Sequence, residues 1–562
     1  MRMRSAWIGL GLALALAVPA TAQQNVLLII ADDCGVDLIG AYGEHPGAAN
    51  TPVIDQLAAD GVLFRNAWAN PSCSPTRATL LTGRYAFRTG IGLAINWFSD
   101  TFELHPDEVT LPDVLGATHD TFAVGKWHIS IRSASDADHP NLMGFDEFHG
   151  NLSIFPGFIS DDYYDFVKII NGVTTQSTTY STTDTVNDAL TLISSTSEPW
   201  FMWAAFNAPH APFHKPPPSL HTYNLPPNVA DDIPMHGRAM MEAMDTELGR
   251  LFASMDPAEL ADTLIIFVGD NGTDKPIVLP PWDKNRAKNT IWEGGLNVPV
   301  IVKGPGVVAG AECDALINLT DVFATVADLK GLPFPSAADS VSMLPYFSNP
   351  AQPSIRPTVY SEFFRNNGYG PYSEWKRAMR DDRFKLIWEY DNSFAPTTTH
   401  LYDLDTDPFE LVNLLDTPPL SPTAQAAHDA MALAMFEKMP LWLDVGHGLA
   451  GTLGTPLLQG SGVPIVGNSI ALSLTRARPN AQTALAIGFT TLSLPLKGGI
   501  IVPAPDILWT GLVTDGLGEL TLTANWPVPL PTGLRLSFQH WIVDPVGPSG
   551  FAASRAQLLN AP

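Results

Sequence analysis

Only three cysteines occur in 562 residues: Cys34, Cys73 and Cys313. That count excludes a disulfide framework. A pairing of Cys34 with Cys313 stays open, and it would leave Cys73 as the odd thiol. Basic residues are also scarce, since 31 Lys and Arg against 57 Asp and Glu leave a formal charge of −26. A nucleic-acid surface needs a basic footprint, so no nucleic-acid partner is expected. Past residue 22 no apolar run approaches the ~20 residues that span a bilayer, so no membrane span is expected in the mature chain. Internal repeats and low-complexity tracts are absent as well.

The N-terminus has what an exported chain needs. Arg2 and Arg4 precede the apolar run "AWIGLGLALALAV", and Ala20-Thr21-Ala22 suits a cleavage site. A signal peptide over 1–22 and a secreted or periplasmic product follow, with an uncleaved anchor as the alternative. The acidity is unevenly spread: from Gly451 onward there are five basic and four acidic residues. The tail is therefore a compositionally separate, nearly neutral region.

Apolar runs, polar turns and helical segments alternate over the first 330 residues. "NVLLIIADD" reads as a fully buried strand running into two aspartates. "NTPVIDQLAADG" reads as a helix with Thr51 as N-cap, Pro52 at the first helical position and Gly61 as C-cap. Met241, Met244, Leu248 and Leu251 recur at helical spacing and read as core. This alternation predicts an α/β fold with a mostly parallel central sheet flanked by helices, over 23–350. Short antiparallel strands, then a helix, predict a subdomain over 351–445. Regularly spaced runs predict a C-terminal β-sandwich-like domain over 451–562, with Trp509, Trp526 and Trp541 read as its core rather than as sugar platforms. In parallel sheets ligands bind at the carboxyl ends of the strands. Asp32-Asp33, Lys126 with His128, His210, and Asp270-Asn271 each directly follow an apolar run, so four strand ends point to one edge.

Cys73 lies in "NPSCSPTRATLLTGRY". Ser74 suits an N-cap and Pro75 the first helical position, which puts Cys73 at a helix N-terminus, where an anion is favoured. A cation in the first turn is mildly unfavourable. Arg77 there makes better sense facing an anionic ligand through its forked donors. A partly buried thiol beside a surface arginine accounts for the same spacing equally well.

Cys-x-Pro-x-Arg followed by "ATLLTGRY" resembles the signature of the type I sulfatases of the alkaline phosphatase superfamily. The resemblance extends over about residues 25 to 440 through "ADDCG", "GKWHIS", "NAPHAPF", "GDNG", "KNTIWEGGLNVPVIVKGPG" and "LYDLDTDPFELVNL". It implies that Cys73 is converted by a formylglycine-generating enzyme to formylglycine, an aldehyde whose hydrate is the nucleophile of a sulfuric ester hydrolase. It further implies an aryl or carbohydrate sulfate ester as substrate.

Asp32, Asp33, Asp270 and Asn271, with a hydroxyl of the hydrated residue 73, form an all-oxygen set that suits Ca²⁺ or Mg²⁺ better than zinc. The resemblance favours calcium. Lys126 and Lys288 match the family's sulfate clamps. Because "NRAKNT" lacks the glycines usual before that lysine, Lys284 is a possible substitute. His128 would take a proton from the hydrate, and His210, with Lys288, would protonate the leaving alcohol. His214 is read as supporting or structural, Cys34 as a small hydrophobe behind the metal loop, and Asp321 as solvated surface. Two other readings remain: a phosphonate monoester or phosphodiester hydrolase on the same aldehyde, and an inactive secreted glycan-binding relative. Specificity is expected in the loops "LAINWFSD" and "GNLSIFPGFISDDYYDF".

Overall fold

The computed structural model describes residues 25–560 apart from 97–98, 132–136, 154–161, 198, 335–336, 338, 369–371, 391–395, 439–440, 465 and 528–534. The expected signal peptide, residues 97–98 of one expected specificity loop and residues 154–161 of the other therefore lie outside the described residues.

A ten-stranded sheet organises the first 330 residues. In chain order its strands are β1 (Asn25–Ala31), β2 (Val62–Trp68), β3 (Asp120–Lys126), β4 (Glu147–Asn151), β5 (Phe166–Ile170), β6 (Val173–Ser177), β7 (Trp200–Ala205), β8 (Thr263–Gly269), β9 (Val300–Lys303) and β10 (Ala311–Asn318). Their spatial order is β10-β2-β9-β8-β1-β7-β3-β4-β5-β6. The centre, β8-β1-β7-β3-β4, is parallel as expected. Antiparallel pairings flank it, because β9 runs against β2 and β8, and β5 and β6 form a hairpin beside β4. Two reversals across β9 leave β2 pointing the same way as β8 and β1.

β1 shows why an unbroken apolar run suits the middle of such a sheet. Val26, Leu28 and Ile30 join the core on one face, while Leu27, Ile29 and Ala31 join the core on the other. Burying each Leu or Ile side chain is worth about 1.5–3 kcal/mol, and a charge at Ile29 would break the packing on its face. Ala78, Leu80 and Leu81 of helix Cys73–Thr82 and Val322, Phe323 and Val326 of helix Asp321–Leu329 cover the first face. Helices Pro52–Ala59, Ser181–Ile193 and Ile233–Ser254 cover the second, with Met241, Met244, Leu248 and Leu251 fully buried as their spacing predicts. Helix Pro52–Ala59 begins at Thr51 as expected but ends at Asp60. Its free N–H groups are taken by the Asp245 carboxylate, which accepts from Val53 and Ile54 at 3.1 and 2.8 Å.

After the large sheet come four antiparallel strands in sequential order, β11 (Val359–Arg365), β12 (Glu374–Arg380), β13 (Phe384–Tyr390) and β14 (Thr398–Asp403), and then helix Pro422–Glu437. Antiparallel sheets of six, three and two strands make up the tail, where strand Trp442–Asp444 pairs with Gln557–Asn560. Trp526 and Trp541 are buried there, whereas Trp509 is 51% exposed on strand Ile507–Val513. That single tryptophan departs from the core reading.

Asp321 is a second correction, since it is buried rather than solvated. It accepts from the Asn318 and Val341 amides at 2.9 Å each and from Arg356 Nε at 2.7 Å. A helix-start aspartate facing a distant arginine cannot be told from a surface one by local pattern. All three cysteines are buried free thiols, so Cys34 and Cys313 do not pair.

Candidate functional site

Register brings the strand ends level. Ala31 pairs with Gly269, Ile30 with Ala205, and Gly125 with Ala205. Asp32, Asp270, the Asn207–His210 turn and Lys126 therefore emerge side by side, as the four-strand-end reading predicts. Backbone bonds tie the loops together: Asp270 N–H donates to Ala31 O at 3.0 Å and Asp32 N–H to Ala208 O at 3.1 Å. From β2 the chain turns through residues 69–72 into helix Cys73–Thr82, which delivers Cys73 to the same edge.

The helix start differs by two residues from the sequence reading. Ser72 is the N-cap and Cys73 the first helical residue. Ser74 is already inside the helix, and its Oγ donates to His128 O at 2.6 Å while accepting from Ile95 N–H at 2.9 Å. These tertiary partners outbid capping, and they hold the His128 loop against the start of the helix.

Three carboxylates converge beside the thiol. Ligand atoms of Asp32, Cys73 and Asp270 all lie within 4.8 Å of one another, as do those of Asp32, Asp33 and His210. Asp33 N–H donates to Asp270 Oδ1 at 3.0 Å, and Asn271 Nδ2 donates to Asp33 Oδ1 at 2.9 Å. Asp32 Oδ1 and Asn271 Oδ1 are buried with no hydrogen-bond partner among the described residues. Orphaned buried oxygens beside clustered carboxylates fit a hard divalent cation and an all-oxygen ligand set.

Cations surround this cluster. Lys126 Nζ contacts Asp32 Oδ2, and Lys288 Nζ lies 2.6 Å from Asp33 Oδ2. Lys284 is exposed, so Lys288 is the lysine that reaches the site. Arg77 is wholly buried rather than a surface arginine, and its fork is engaged by protein acceptors at the edge of the carboxylate cluster. Its Nε and Nη2 donate to Asp270 Oδ2 at 3.0 and 2.8 Å, and its Nη1 to Lys126 O at 2.8 Å. The fork thus orients a carboxylate and a loop carbonyl.

Burial and charge set the protonation states. Burial works against the Asp33 carboxylate, yet Lys288, His210 and Lys126 together hold it below the usual range. Asp270 is pushed up to about 6 by burial and by the Asp32 charge, against Arg77 and Lys126. A cation held between these carboxylates would offset that repulsion. Burial raises the Cys73 thiol. Burial and the neighbouring Lys126 and Arg77 hold His128 well below its ordinary value, so it is neutral. His210 is lowered to about 3 by burial and Lys288.

The histidine tautomers follow from their partners. His128 Nε2 faces Ile95 O at 3.0 Å and must carry the proton, which leaves Nδ1, buried and without a partner among the described residues, as a free lone pair. His210 Nδ1 faces Ala211 O at 2.5 Å, so its Nε2, 3.8 Å from Asp33 Oδ2, is the free nitrogen. His214 belongs to a cage of Tyr163, Tyr164 and Tyr180, and its Nε2 meets the Tyr180 hydroxyl at 3.1 Å. That agrees with a supporting role. Asp33, His128 and Asn289 have left-handed φ of 62°, 65° and 65°, where non-glycine residues are uncommon and cluster at functional sites.

Sequence reasoning missed the residues that hold this assembly. Tyr163 Oη lies 2.5 Å from Asn207 O and 2.7 Å from His210 O, bracing the His210 turn. Asp37 holds the loop after Asp270 by accepting from Thr273 Oγ1 and from Leu279 N–H at 3.0 Å. Single aspartates and tyrosines leave no such signal in a sequence.

A sulfatase family model matches residues 24–332, and a model of the N-sulphoglucosamine sulphohydrolase C-terminal region matches residues 284–435. The chain belongs to the sulfatase family, as a type I sulfatase, with the alkaline-phosphatase-like fold. It is 30% identical to arylsulfatase A of Bos taurus over 476 residues, covering 74% of this chain and 88% of that protein. It is 32% identical to N-acetylgalactosamine-6-sulfatase of Sus scrofa over 364 residues, or 58% of this chain, and spans 66% of that relative's length. Among solved structures, Ps i-CgsB in complex with k-i-k-neocarrahexaose matches with a TM-score of 0.62 at 25% identity, covering 74% of this chain and 93% of that one. The PsFucS1 sulfatase from Pseudoalteromonas sp. matches at a TM-score of 0.56 and 23% identity, covering 75% of this chain and 91% of that one, and shows the fold alone.

Proposed function

We propose that this chain is an exported hydrolase of sulfate esters, with a carbohydrate sulfate as the favoured substrate class, armed by oxidation of Cys73 to formylglycine. The observation that carries the reading is the Cys73 side chain, buried at a helix N-terminus with Asp32 and Asp270 oxygens all within 4.8 Å. A carbohydrate substrate is favoured by the likeness to a relative named N-acetylgalactosamine-6-sulfatase and to a structure solved in complex with k-i-k-neocarrahexaose. Export is supported by the charged and apolar N-terminus of the sequence.

Asp32, Asp33, Asp270 and Asn271 would hold Ca²⁺ in preference to Mg²⁺, because an irregular oxygen set on rigid loops suits the larger ion. Such an ion supplies Lewis-acid withdrawal of charge from a sulfate oxygen. A hydrated aldehyde at position 73 supplies two hydroxyls on one carbon, one to attack sulfur as the alcohol leaves and one whose deprotonation expels sulfate and restores the aldehyde. His128 Nδ1, neutral and with its lone pair free, is the acceptor for that second proton. Lys126 and Lys288 balance the sulfate oxygens. Lys288 is held protonated by Asp33 and delivers the proton to the departing alcohol oxygen, while the unprotonated His210 Nε2 beside Asp33 can only accept a hydrogen bond there. Arg77 keeps Asp270 and the Lys126 carbonyl in place.

Side-by-side hydrolysis of an aryl sulfate, an aryl phosphonate monoester and a panel of sulfated sugars tests this reading. Sulfate turnover well above phosphonate turnover is expected. The reverse order would move the chain to the phosphonate hydrolases, and no turnover would favour a binding protein.

A further inference from the structure

Lys288 sits on a loop that the antiparallel sheet β11–β14 grips from behind. Its side of the site is set by two backbone bonds, Lys288 N–H to Thr273 O at 3.2 Å and Asn289 N–H to Pro71 O at 2.6 Å, the latter just before Cys73. Past Asn289 the chain enters a short helix, Glu293–Leu296. Glu293 N–H donates to Glu410 Oε2 at 2.6 Å. The Glu293 carboxylate accepts from Lys385 Nζ at 3.0 Å, Arg380 Nη1 at 3.1 Å and Trp68 Nε1 at 3.3 Å. Lys385 Nζ also lies 2.8 Å from Glu410 Oε1. At the other end of the loop, Arg286 Nη1 donates to the carbonyl oxygens of Phe409, at 3.3 Å, and of Glu410.

This is a closed network. Glu293, Arg380, Lys385 and Glu410 are all buried, two acids against two bases, and burial pushes Glu410 up to about 7. Glu410 touches the loop on both sides of Lys288, through the Glu293 amide and through Arg286. The backbone beneath has no slack. A Cβ on Gly272 would lie 1.9 Å from Gly294 O, and one on Gly295 would lie 2.1 Å from Thr290 O. Loop 286–290, helix Glu293–Leu296 and the Asp270–Gly272 turn are therefore packed backbone against backbone. Burying such ionisable groups is often no more stabilising than an apolar core of the same volume, so stability alone does not account for the network.

We propose that Glu410 is a positioning residue for Lys288, with Lys385 and Glu293 completing the clamp. The second sheet thereby sets the reach of a lysine on the first. The inference rests on the sulfate-ester reading for its catalytic consequence, but the clamp itself can be read without turnover.

A double-mutant cycle on the full chain tests it. Glu410→Gln should lower kcat/KM for an aryl sulfate about tenfold in the wild-type background. It should change kcat/KM less than about twofold in a Lys288→Ala background, because the residue acts through that lysine. Equal factors in both backgrounds would overturn the proposal, as would an unchanged kcat/KM with only a lowered Tm. Should the single change unfold the protein, Lys385→Met with Glu410→Gln removes one charge of each sign, and it should keep the fold while losing the same activity. Amide hydrogen exchange across residues 284–293 provides the readout that needs no substrate. Faster exchange at Lys288 and Asn289 in Glu410→Gln is expected, and unchanged exchange contradicts the clamp. A wild-type protein inert to sulfate esters would sink the functional reading and leave the exchange result to decide the clamp.

Discussion

Arg77 and Asp270 stand 193 residues apart in sequence and meet in a wholly buried pair, with Arg77 Nη2 and Nε at 2.8 and 3.0 Å from the same Asp270 oxygen. An arginine in the first turn of a helix opposes the helix dipole, and this contact is what offsets that cost. The arginine of the Cys-x-Pro-x-Arg motif thus acts on a metal-ligand candidate. Arg77→Ala should destabilise the protein by about 3–5 kcal/mol, since it leaves a buried carboxylate without its partner. Denaturant unfolding measures this. Arg77→Lys, which loses the fork but keeps the charge, should fold and bind calcium about tenfold more weakly. Wild-type affinity in that variant would contradict the orienting role.

His128 has one nitrogen, Nδ1, that is buried with no hydrogen-bond partner among the described residues. His128→Ala should lower kcat by about 10²–10⁴-fold while an initial burst of alcohol, near one equivalent per enzyme, survives. Rapid-mixing assays with a chromogenic sulfate ester read both. A fall in the burst rate as large as the fall in steady-state turnover would assign His128 to the first step instead.

Calcium should stabilise the fold through Asp32, Asp33, Asp270 and Asn271. At a hundredfold excess over Kd a single site adds about 2.7 kcal/mol, which thermal melts with chelator and after calcium re-addition will detect. Asn271→Ala removes a buried, unpartnered oxygen and should shrink that gain. An identical gain in the variant would place the ion elsewhere.

His540 reports on acid stability far from the site. It is buried in the tail, its Nδ1 lies 2.9 Å from Thr483 Oγ1, and burial lowers its pKa to about 4. Between about pH 6.5 and 4 the unfolded state carries a proton on this residue that the folded state refuses. Its contribution is therefore complete above pH 6.5 and is lost as pH falls toward 4. His540→Gln should gain Tm relative to wild type over that window, and parallel curves would contradict the shift.

What the sequence made legible follows from locality. Strand runs ending in Asp32-Asp33, Lys126 and Asp270-Asn271 carry their positions in their own pattern, because a buried parallel strand and its carboxyl end are adjacent in the chain. The methionines at helical spacing in 241–251 behave the same way. Contacts made across the sheet carry no such pattern. Ser74 left its expected capping role for His128 O, Arg77 turned to Asp270, and Asp321 found Arg356, each through a partner at least 35 residues away. Glu293 and Glu410 stood in plain view within "EGG" and "DPFEL", yet only the fold joins them.

The central claim is that Cys73 is a precursor rather than a thiol. A peptide mass spectrum covering residue 73, taken from protein exported by its native host, tests it most directly. The account predicts an aldehyde or its hydrate at that position in the folded, active protein. An unmodified cysteine in active protein would contradict it.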